Sequence, residues 1–370
     1  MRRNLGAALG VCLGLAACGG GESAPDAGAE PDLSVEAAGP FPVGTTRGVV
    51  EDTARGRTLP VQRWYPAVED ARAEAEAGFA VELFEDEPRR TSYAELLAAA
   101  PTGCPSAQAH AAVDATPAAG PFPIVLFSHC HECVRFSSFS VAERLASHGF
   151  IVIAVEHVDN ALWNYLDDTG VPLDADFLPV RAEDVRAALD AYLAGAPAEA
   201  DAERIGVMGH SFGSVTAGKV AQDDDRIDAA LGIAAPMENP LIPGVTLSDL
   251  DVPLAFLVAA EDNSITELGN TFIRDNFAQA PVPAWKGELP DAGHWSFSDM
   301  VAIAEPFTPG CGDDTRQTNG DPFTYLPATE GRAVAAAWAT AFFKATLTDD
   351  DGAAAYLEAG RLGLTAEHHD

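Results

Sequence analysis

Five short runs between residues 120 and 260 are apolar on both faces: 124–127 (IVLF), 150–155 (FIVIAV), 204–208 (RIGVM), 229–233 (AALGI) and 253–258 (PLAFLV). A strand that is apolar at every position, rather than at every second one, has to be covered on both sides. The segments between them, 141–148, 180–193 and 212–221, are amphipathic and long enough for crossover helices. Strand alternating with helix predicts an α/β chain built on a mostly parallel, doubly wound sheet. The alanine-rich stretch 333–343 predicts a closing helix, and Thr58 to Tyr65 with the stretch before it predict edge strands. Residues 67–120 are rich in Ala, Glu and Pro, with a helical patch at 93–99, and read as an insertion or cap on a domain spanning 41–370.

The chain has 370 residues, 47% of them hydrophobic, which is enough for one large core. It carries 22 Lys+Arg against 56 Asp+Glu, a formal charge of −34. A surface this negative repels nucleic acid and anionic lipid headgroups, so neither is expected as a partner. No obligate protein partner is evident either.

Residues 1–17 read as a targeting segment. Arg2 and Arg3 precede a short apolar stretch from Leu5 to Leu15, too short to span a bilayer. The following Leu15-Ala16-Ala17-Cys18 resembles the lipobox of bacterial lipoproteins, which implies cleavage before Cys18 and a lipid on that cysteine. With Gly19 rather than Asp next, the same resemblance implies the outer membrane. Membrane contact is then expected through the lipid alone. Residues 18–40, Gly, Ala, Pro and acid, are too poor in large apolar groups to fold and read as a flexible tether.

Four cysteines remain downstream: Cys104, Cys130, Cys133 and Cys311. In an oxidising compartment they suggest two disulfides, for which three pairings exist. Cys130 and Cys133 are two residues apart in one loop, and Cys104 and Cys311 each lie in a Pro-Gly-rich loop. The simplest pairing is therefore Cys130–Cys133 with Cys104–Cys311. The ligand density of Ser128-His129-Cys130-His131-Glu132-Cys133 keeps a zinc site open as a rival, and no metal is assigned. A thiol–disulfide protein is disfavoured, since the pair does not open a helix in a thioredoxin-like pattern.

Gly209-His210-Ser211-Phe212-Gly213 lies between the run ending at Met208 and the helix beginning near Phe212. That strand–turn–helix context is what a nucleophile elbow requires. A serine hydroxyl needs a base to take its proton and an acid to hold that base. In such a fold the order along the chain is Ser, Asp or Glu, His. His294 is the only histidine between the elbow and the tail, in a loop flanked by Pro and Gly. For the acid, Glu261 and Asp262 follow the last clear strand, and Asp262 is preferred. Asp262 precedes His294 by 32 residues, room for one helix and one strand.

Phe127-Ser128-His129, residues 145–152 (LASHGFIV), Glu156-His157, the elbow, Gly293-His294 and Phe297-Ser298-Asp299 together resemble the plasma-type platelet-activating-factor acetylhydrolases. They also resemble bacterial dienelactone-hydrolase-like and polyester-hydrolase relatives. The resemblance covers about 41–66 and 121–346. It implies an α/β-hydrolase fold and a Ser-His-Asp enzyme acting on carboxylic esters, often short-acyl and lipid-like, through an acyl-enzyme and without a cofactor. It carries the nucleophile to Ser211 and the base to His294, with oxyanion donors at the backbone N–H of Phe212 and His131. Two departures stand out. Ala234-Ala235 occupies the position where the acetylhydrolases often carry the acid, which moves it one strand later, to Asp262. Cys130 stands where the family has Gly, a residue that permits backbone angles Cys resists. The alternative to an enzyme is a catalytically inactive surface lipoprotein that keeps the fold as a binding module.

Overall fold

The computed structural model describes residues 29–370. The 1–17 signal segment, Cys18 and the first part of the expected tether lie outside the described residues. The strands in chain order are β1 (Val43–Asp52), β2 (Arg57–Pro66), β3 (Phe79–Ala80), β4 (Gln108–Ala109), β5 (Ala112–Val113), β6 (Phe122–Ser128) and β7 (Ile151–Val155). They continue with β8 (Ala200–His210), β9 (Ala229–Ile233), β10 (Leu254–Ala259), β11 (Ala284–Leu289), β12 (Asp313–Thr315), β13 (Pro322–Thr324) and β14 (Thr365–His369). The α-helices are α1 (Arg72–Ala77), α2 (Arg89–Ala99), α3 (Phe139–Ser147), α4 (Leu162–Leu166), α5 (Leu178–Ala194), α6 (Phe212–Asp223), α7 (Thr266–Gln279), α8 (Ala328–Leu347) and α9 (Asp351–Glu358).

Ten strands form one sheet in the order β14-β11-β10-β9-β8-β6-β7-β2-β1-β5. The six central strands run parallel, and β14 and the β1–β2 hairpin add antiparallel flanks. Side chains alternate across a strand. Ile124 and Leu126 of β6 therefore enter one core with Val185 of α5 and Val215 of α6. Val125 and Phe127 enter the other, with Leu145 of α3 and Ala339 of α8. Both cores need apolar partners, which is why these strands are apolar at every position.

Three expectations need correction. The segment 58–65 is interior, because β2 pairs with β1 on one side and β7 on the other; the edge is the two-residue β5, too short to invite further pairing. The tether ends earlier than residue 40. Asp32 caps a 3-10 turn at Leu33–Glu36 and pairs with Lys344 of α8, and Val35 is fully buried. One apolar side chain and two ion pairs, Asp32 with Lys344 and Glu36 with Arg361, all to distant parts of the chain, order a segment whose composition looks unfoldable. The tail also does not end at the closing helix: His368 and His369 lie in β14, where the His368 ring stacks on Trp285 at 4.7 Å.

The 67–120 segment contains α2, which covers the expected helical patch, and its far end is fastened to the rest of the chain. Cys104 is disulfide-bonded to Cys311, with Cα atoms 5.8 Å apart. Arg332 Nη1 donates to the Cys104 carbonyl at 2.7 Å, and Ser106 Oγ donates to Asp299 Oδ1 at 2.6 Å. Cys130 is bonded to Cys133, Cα atoms 5.2 Å apart. Both bridges follow the simplest pairing. Among the described residues no helix is long and apolar enough to cross a membrane.

Candidate active site

Ser211 joins β8 to α6 with φ 58° and ψ −122°. A non-glycine residue in that region costs roughly 1–3 kcal/mol and persists only where its surroundings dictate it. Here they do: Ser211 N–H donates to the Ile233 carbonyl at 2.9 Å, and Ser214 N–H closes back on the Ser211 carbonyl at 2.8 Å. The flanking glycines are required by contact. A Cβ on Gly209 would lie 1.9 Å from the Gly213 carbonyl oxygen, and one on Gly213 would lie 2.0 Å from the Ser128 carbonyl oxygen. The start of α6 is thus pressed onto the end of β6, which brings Ser211 beside the 128–133 loop. The first-turn N–H groups of α6 have no partner within the helix.

His294 lies in the loop after β11 and is almost fully buried. Its Nδ1–H donates to Asp262 Oδ2 at 2.6 Å, which leaves Nε2 as the ring's second nitrogen. Asp262 is itself oriented, since its Oδ1 accepts the N–H groups of Ser264 and Ile265, both at 3.0 Å. Glu261 turns away. It pairs with Arg316 at 2.8 Å and accepts Gln317 N–H at 3.0 Å, tying down the β12–β13 hairpin. Of the two neighbouring acids, Asp262 is the one that meets His294. His210 Nε2–H donates to the His294 carbonyl at 2.9 Å. The His294 loop is thus held from the elbow itself.

The 128–133 loop is held by one arginine that sequence reasoning passed over. Arg181 of α5, fully buried, donates to the His129 carbonyl, to Asn160 Oδ1 and to Ser128 Oγ. Its Nε donates to Thr216 Oγ1 at 3.0 Å, and its guanidinium lies 4.6 Å from the centre of the Phe212 ring. Asn160 Nδ2 in turn donates to His131 Nδ1 at 2.7 Å. Burial, with the Arg181 charge next, brings the His131 imidazole down to about 4, so it is neutral at pH 7. Arg181 thus braces both Phe212 and His131. The only sequence signal for it was a cation on the face of α5 that turns to the core. Cys130, expected to resist the angles of the Gly it replaces, has no positive φ; the left-handed residue is Glu132, φ 56°. Since Cys130 and Cys133 are bonded to each other, neither supplies a thiolate ligand.

Ser211 opens into a cavity of about 300 Å³ lined by Phe212, Val215, Ile242, Ile265 and Phe272, with Leu173 and Leu241 toward solvent; no charged side chain lines it. Neither Trp163 nor Trp295 lines it. Trp295 packs edge-on against His294 and Phe307, and Trp163 lies under Arg89.

The sequence profile of the dienelactone hydrolase family matches residues 110–302, more than half of the chain. The chain belongs to the dienelactone hydrolase family. The profile of platelet-activating factor acetylhydrolase, isoform II, matches residues 29–176 of this family member. Among individual relatives, platelet-activating factor acetylhydrolase of Bos taurus is 28% identical over 155 residues, 31% of this chain and 35% of that protein. Cutinase est2 of Thermobifida alba is 30% identical over 165 residues, 42% of this chain and 47% of that protein. The chain therefore spans less than half the length of these relatives. A ferulic acid esterase structure from Streptomyces cinnamoneus superposes with a TM-score of 0.62 at 24% identity, covering 88% of this chain and 94% of that one. That likeness is one of fold, the α/β-hydrolase fold.

This dienelactone hydrolase family member also holds a buried Ser-His-Asp chain of contacts away from Ser211. Ser128 Oγ lies 2.9 Å from His157 Nε2, and His157 Nδ1 lies 3.2 Å from Asp184 Oδ2, with all three residues fully buried. No substrate reaches it, and Arg57 also pairs with Asp184. It is scaffold. Glu156 belongs to the same class, buried in an ion pair with Arg135. His129, His157 and His210 are all held below the ordinary histidine range, burial being the main cause. In the unfolded chain each takes up a proton as pH falls through about 6.5, whereas the folded chain resists it. Stability contributed by these groups is present above pH 6.5 and lost below it, by up to about 1.4 kcal/mol per pH unit per histidine. Buried Glu143 and Asp299, each raised from its ordinary value chiefly by burial, act in the opposite direction. Comparison with a variant isolates one histidine: urea unfolding of His210→Asn between pH 6.5 and 5 is expected to show a shallower loss, smaller by about one proton. An unchanged slope would show that His210 is not held neutral.

Proposed function

We propose that this protein hydrolyses neutral carboxylic esters through an acyl-enzyme formed on Ser211. The relatives are named for an acetylhydrolase, a cutinase and a feruloyl-type esterase, activities that have in common an ester of a carboxylic acid. The observation that carries the reading is a strained serine at the start of a helix, beside an uncharged cavity, in a chain whose late histidine is held by a buried aspartate. In this mechanism His294 Nε2 takes the Ser211 proton as the hydroxyl attacks the ester carbonyl. Asp262 keeps the Nδ1–H tautomer and stabilises the imidazolium that forms. The N–H groups of Phe212 and His131 receive the negative charge on the carbonyl oxygen. His294 then protonates the leaving alcohol, and water, activated by the same nitrogen, releases the acid.

The uncharged lining supports an apolar acyl group. A cavity near the lower end of small-molecule site volumes, roughly 300–1,000 Å³, supports a short one. The lipobox-like Leu15 to Cys18 supports export and attachment to the outer membrane through Cys18.

A fluorophosphonate probe is expected to label Ser211 alone, as read by peptide mapping. The same protein is expected to turn over p-nitrophenyl acetate and butyrate faster than the long-chain esters. Labelling of another serine would refute the mechanism. Folded protein that neither labels nor hydrolyses any of the series would make the chain a binding module.

A further inference from the structure

The cavity at Ser211 is not the largest in the protein. A second one of about 480 Å³ shares no residue with it and lies against α3. α3 buries Val141, Ala142, Leu145 and Ala146 in the core. By the helical repeat, Ser140, Glu143, Arg144 and Ser147 form a polar stripe along its other side, and all four line this cavity. The lining also includes Phe41 and Val43 at the entry to β1, with Arg72, the exposed Glu76 and His110 from the 67–120 segment.

The two serines are occupied. Ser140 Oγ donates to Asp299 Oδ2 at 2.9 Å and Ser147 Oγ to the Arg144 carbonyl at 2.7 Å. Arg72 is paired with Glu69. Glu143 and Arg144 are not so well served. Glu143, only 9% exposed, accepts one hydrogen bond, from His110 N–H at 2.7 Å. Burial, with the Asp299 charge adding to it, raises its carboxyl well above the usual range against the pull of the His110 N–H, which favours the protonated form, an O–H donor. The Arg144 guanidinium donates to a single backbone carbonyl, that of Val35, at 2.7 Å. It has no carboxylate partner among the described residues, in a chain where acids outnumber bases by 56 to 22. A half-buried cation without a carboxylate partner, a buried carboxyl beside it whose protonated form burial favours, and apolar side chains in the same lining are complementary to one kind of ligand.

We propose that this cavity binds a monocarboxylate with a short apolar chain, its carboxylate between Arg144 and Glu143 and its chain against Phe41 and Val43. An inorganic anion would satisfy Arg144 but leave the apolar wall wet. A neutral alcohol of equal length would cover the wall and leave Arg144 without a counter-ion. The proposal does not depend on the chemistry assigned to Ser211.

Calorimetric titration of the full chain with octanoate, and separately with octanol, tests it. Saturable octanoate binding is expected, weakened tenfold or more in Arg144→Gln. Because Arg144 also holds the Val35 carbonyl, a second variant is needed: Ala38→Trp, at an exposed residue of the cavity rim, is expected to block binding by bulk alone. Hydrolysis of p-nitrophenyl butyrate is expected to be unchanged in Ala38→Trp; that assay reports on Ser211 and separates the two proposals. Octanoate that binds both variants as it binds the parent protein is bound elsewhere and overturns the assignment. So does an absence of saturable binding, or octanol binding as tightly as octanoate.

Discussion

Asp262→Asn is expected to lower kcat for p-nitrophenyl butyrate by about 10⁴, the cost typical of losing a triad carboxylate, while leaving the fold intact. The geometry says why an isosteric change should be so severe. Asp262 Oδ1 is fixed by two backbone N–H groups, from Ser264 and Ile265, so an asparagine would keep its carbonyl oxygen there. Its NH₂ would then face His294 Nδ1, where Oδ2 now accepts at 2.6 Å. His294 would have to accept at Nδ1 and carry its proton on Nε2, the tautomer that cannot take a proton from Ser211. Glu261→Gln supplies the contrast. It removes a charge paired with Arg316, on a half-exposed arginine, and touches nothing at His294. Its expected cost is a few-fold at most. Steady-state kinetics of the two variants decide it, and comparable losses in both would break the link between Asp262 and the tautomer.

Removing the Cys104–Cys311 bridge is expected to lower stability more than removing the Cys130–Cys133 bridge. The bridged residues are 207 apart in sequence. For a loop of that length the chain-entropy model gives on the order of 5 kcal/mol, an upper figure because the unfolded chain retains structure. Cys104→Ser/Cys311→Ser is expected to lower the urea midpoint while kcat of the folded protein holds. The short Cys130–Cys133 bridge should behave in the opposite way. It constrains little of the unfolded chain, yet it encloses His131, whose N–H is assigned to the oxyanion. Cys130→Ser/Cys133→Ser, which places two hydroxyls at fully buried positions, is expected to lower the midpoint less than the long-bridge variant and reduce kcat by tenfold or more, since one oxyanion donor is typically worth about 10²–10³. Equal kcat in the two double variants would remove the short bridge from the catalytic machinery.

The parallel sheet and the elbow were legible because both are written locally. Runs such as 124–127 and 150–155 read as doubly covered strands, and Gly209 to Gly213 directly follows another of them, 204–208. His294 was legible by its position in the chain order. The 29–40 segment was not legible, because its ordering rests on Val35 in a distant core, on Asp32 meeting Lys344 and on Glu36 meeting Arg361. Nor was Arg181, whose partners Ser128, His129, Asn160 and Thr216 are scattered along the chain.

By itself, then, the sequence determined the class of fold, the serine at the turn and the histidine expected to act on it. Each depends on residue type and on spacing within one strand–turn–helix unit or one chain order. Only the tertiary structure showed which of Glu261 and Asp262 meets His294. The two are one residue apart and chemically alike, and what separates them is direction: Oδ2 of one meets His294, while the other meets Arg316. The tertiary structure also revealed a Ser-His-Asp path that the sequence did not, from Ser128 through His157 to Asp184. Ser128 is sealed beneath Arg181 with no exposed surface, whereas Ser211 opens into an uncharged cavity. Direction and access are properties of packed neighbours, and neighbours far apart in the chain are set by the burial of the whole core rather than by any local pattern.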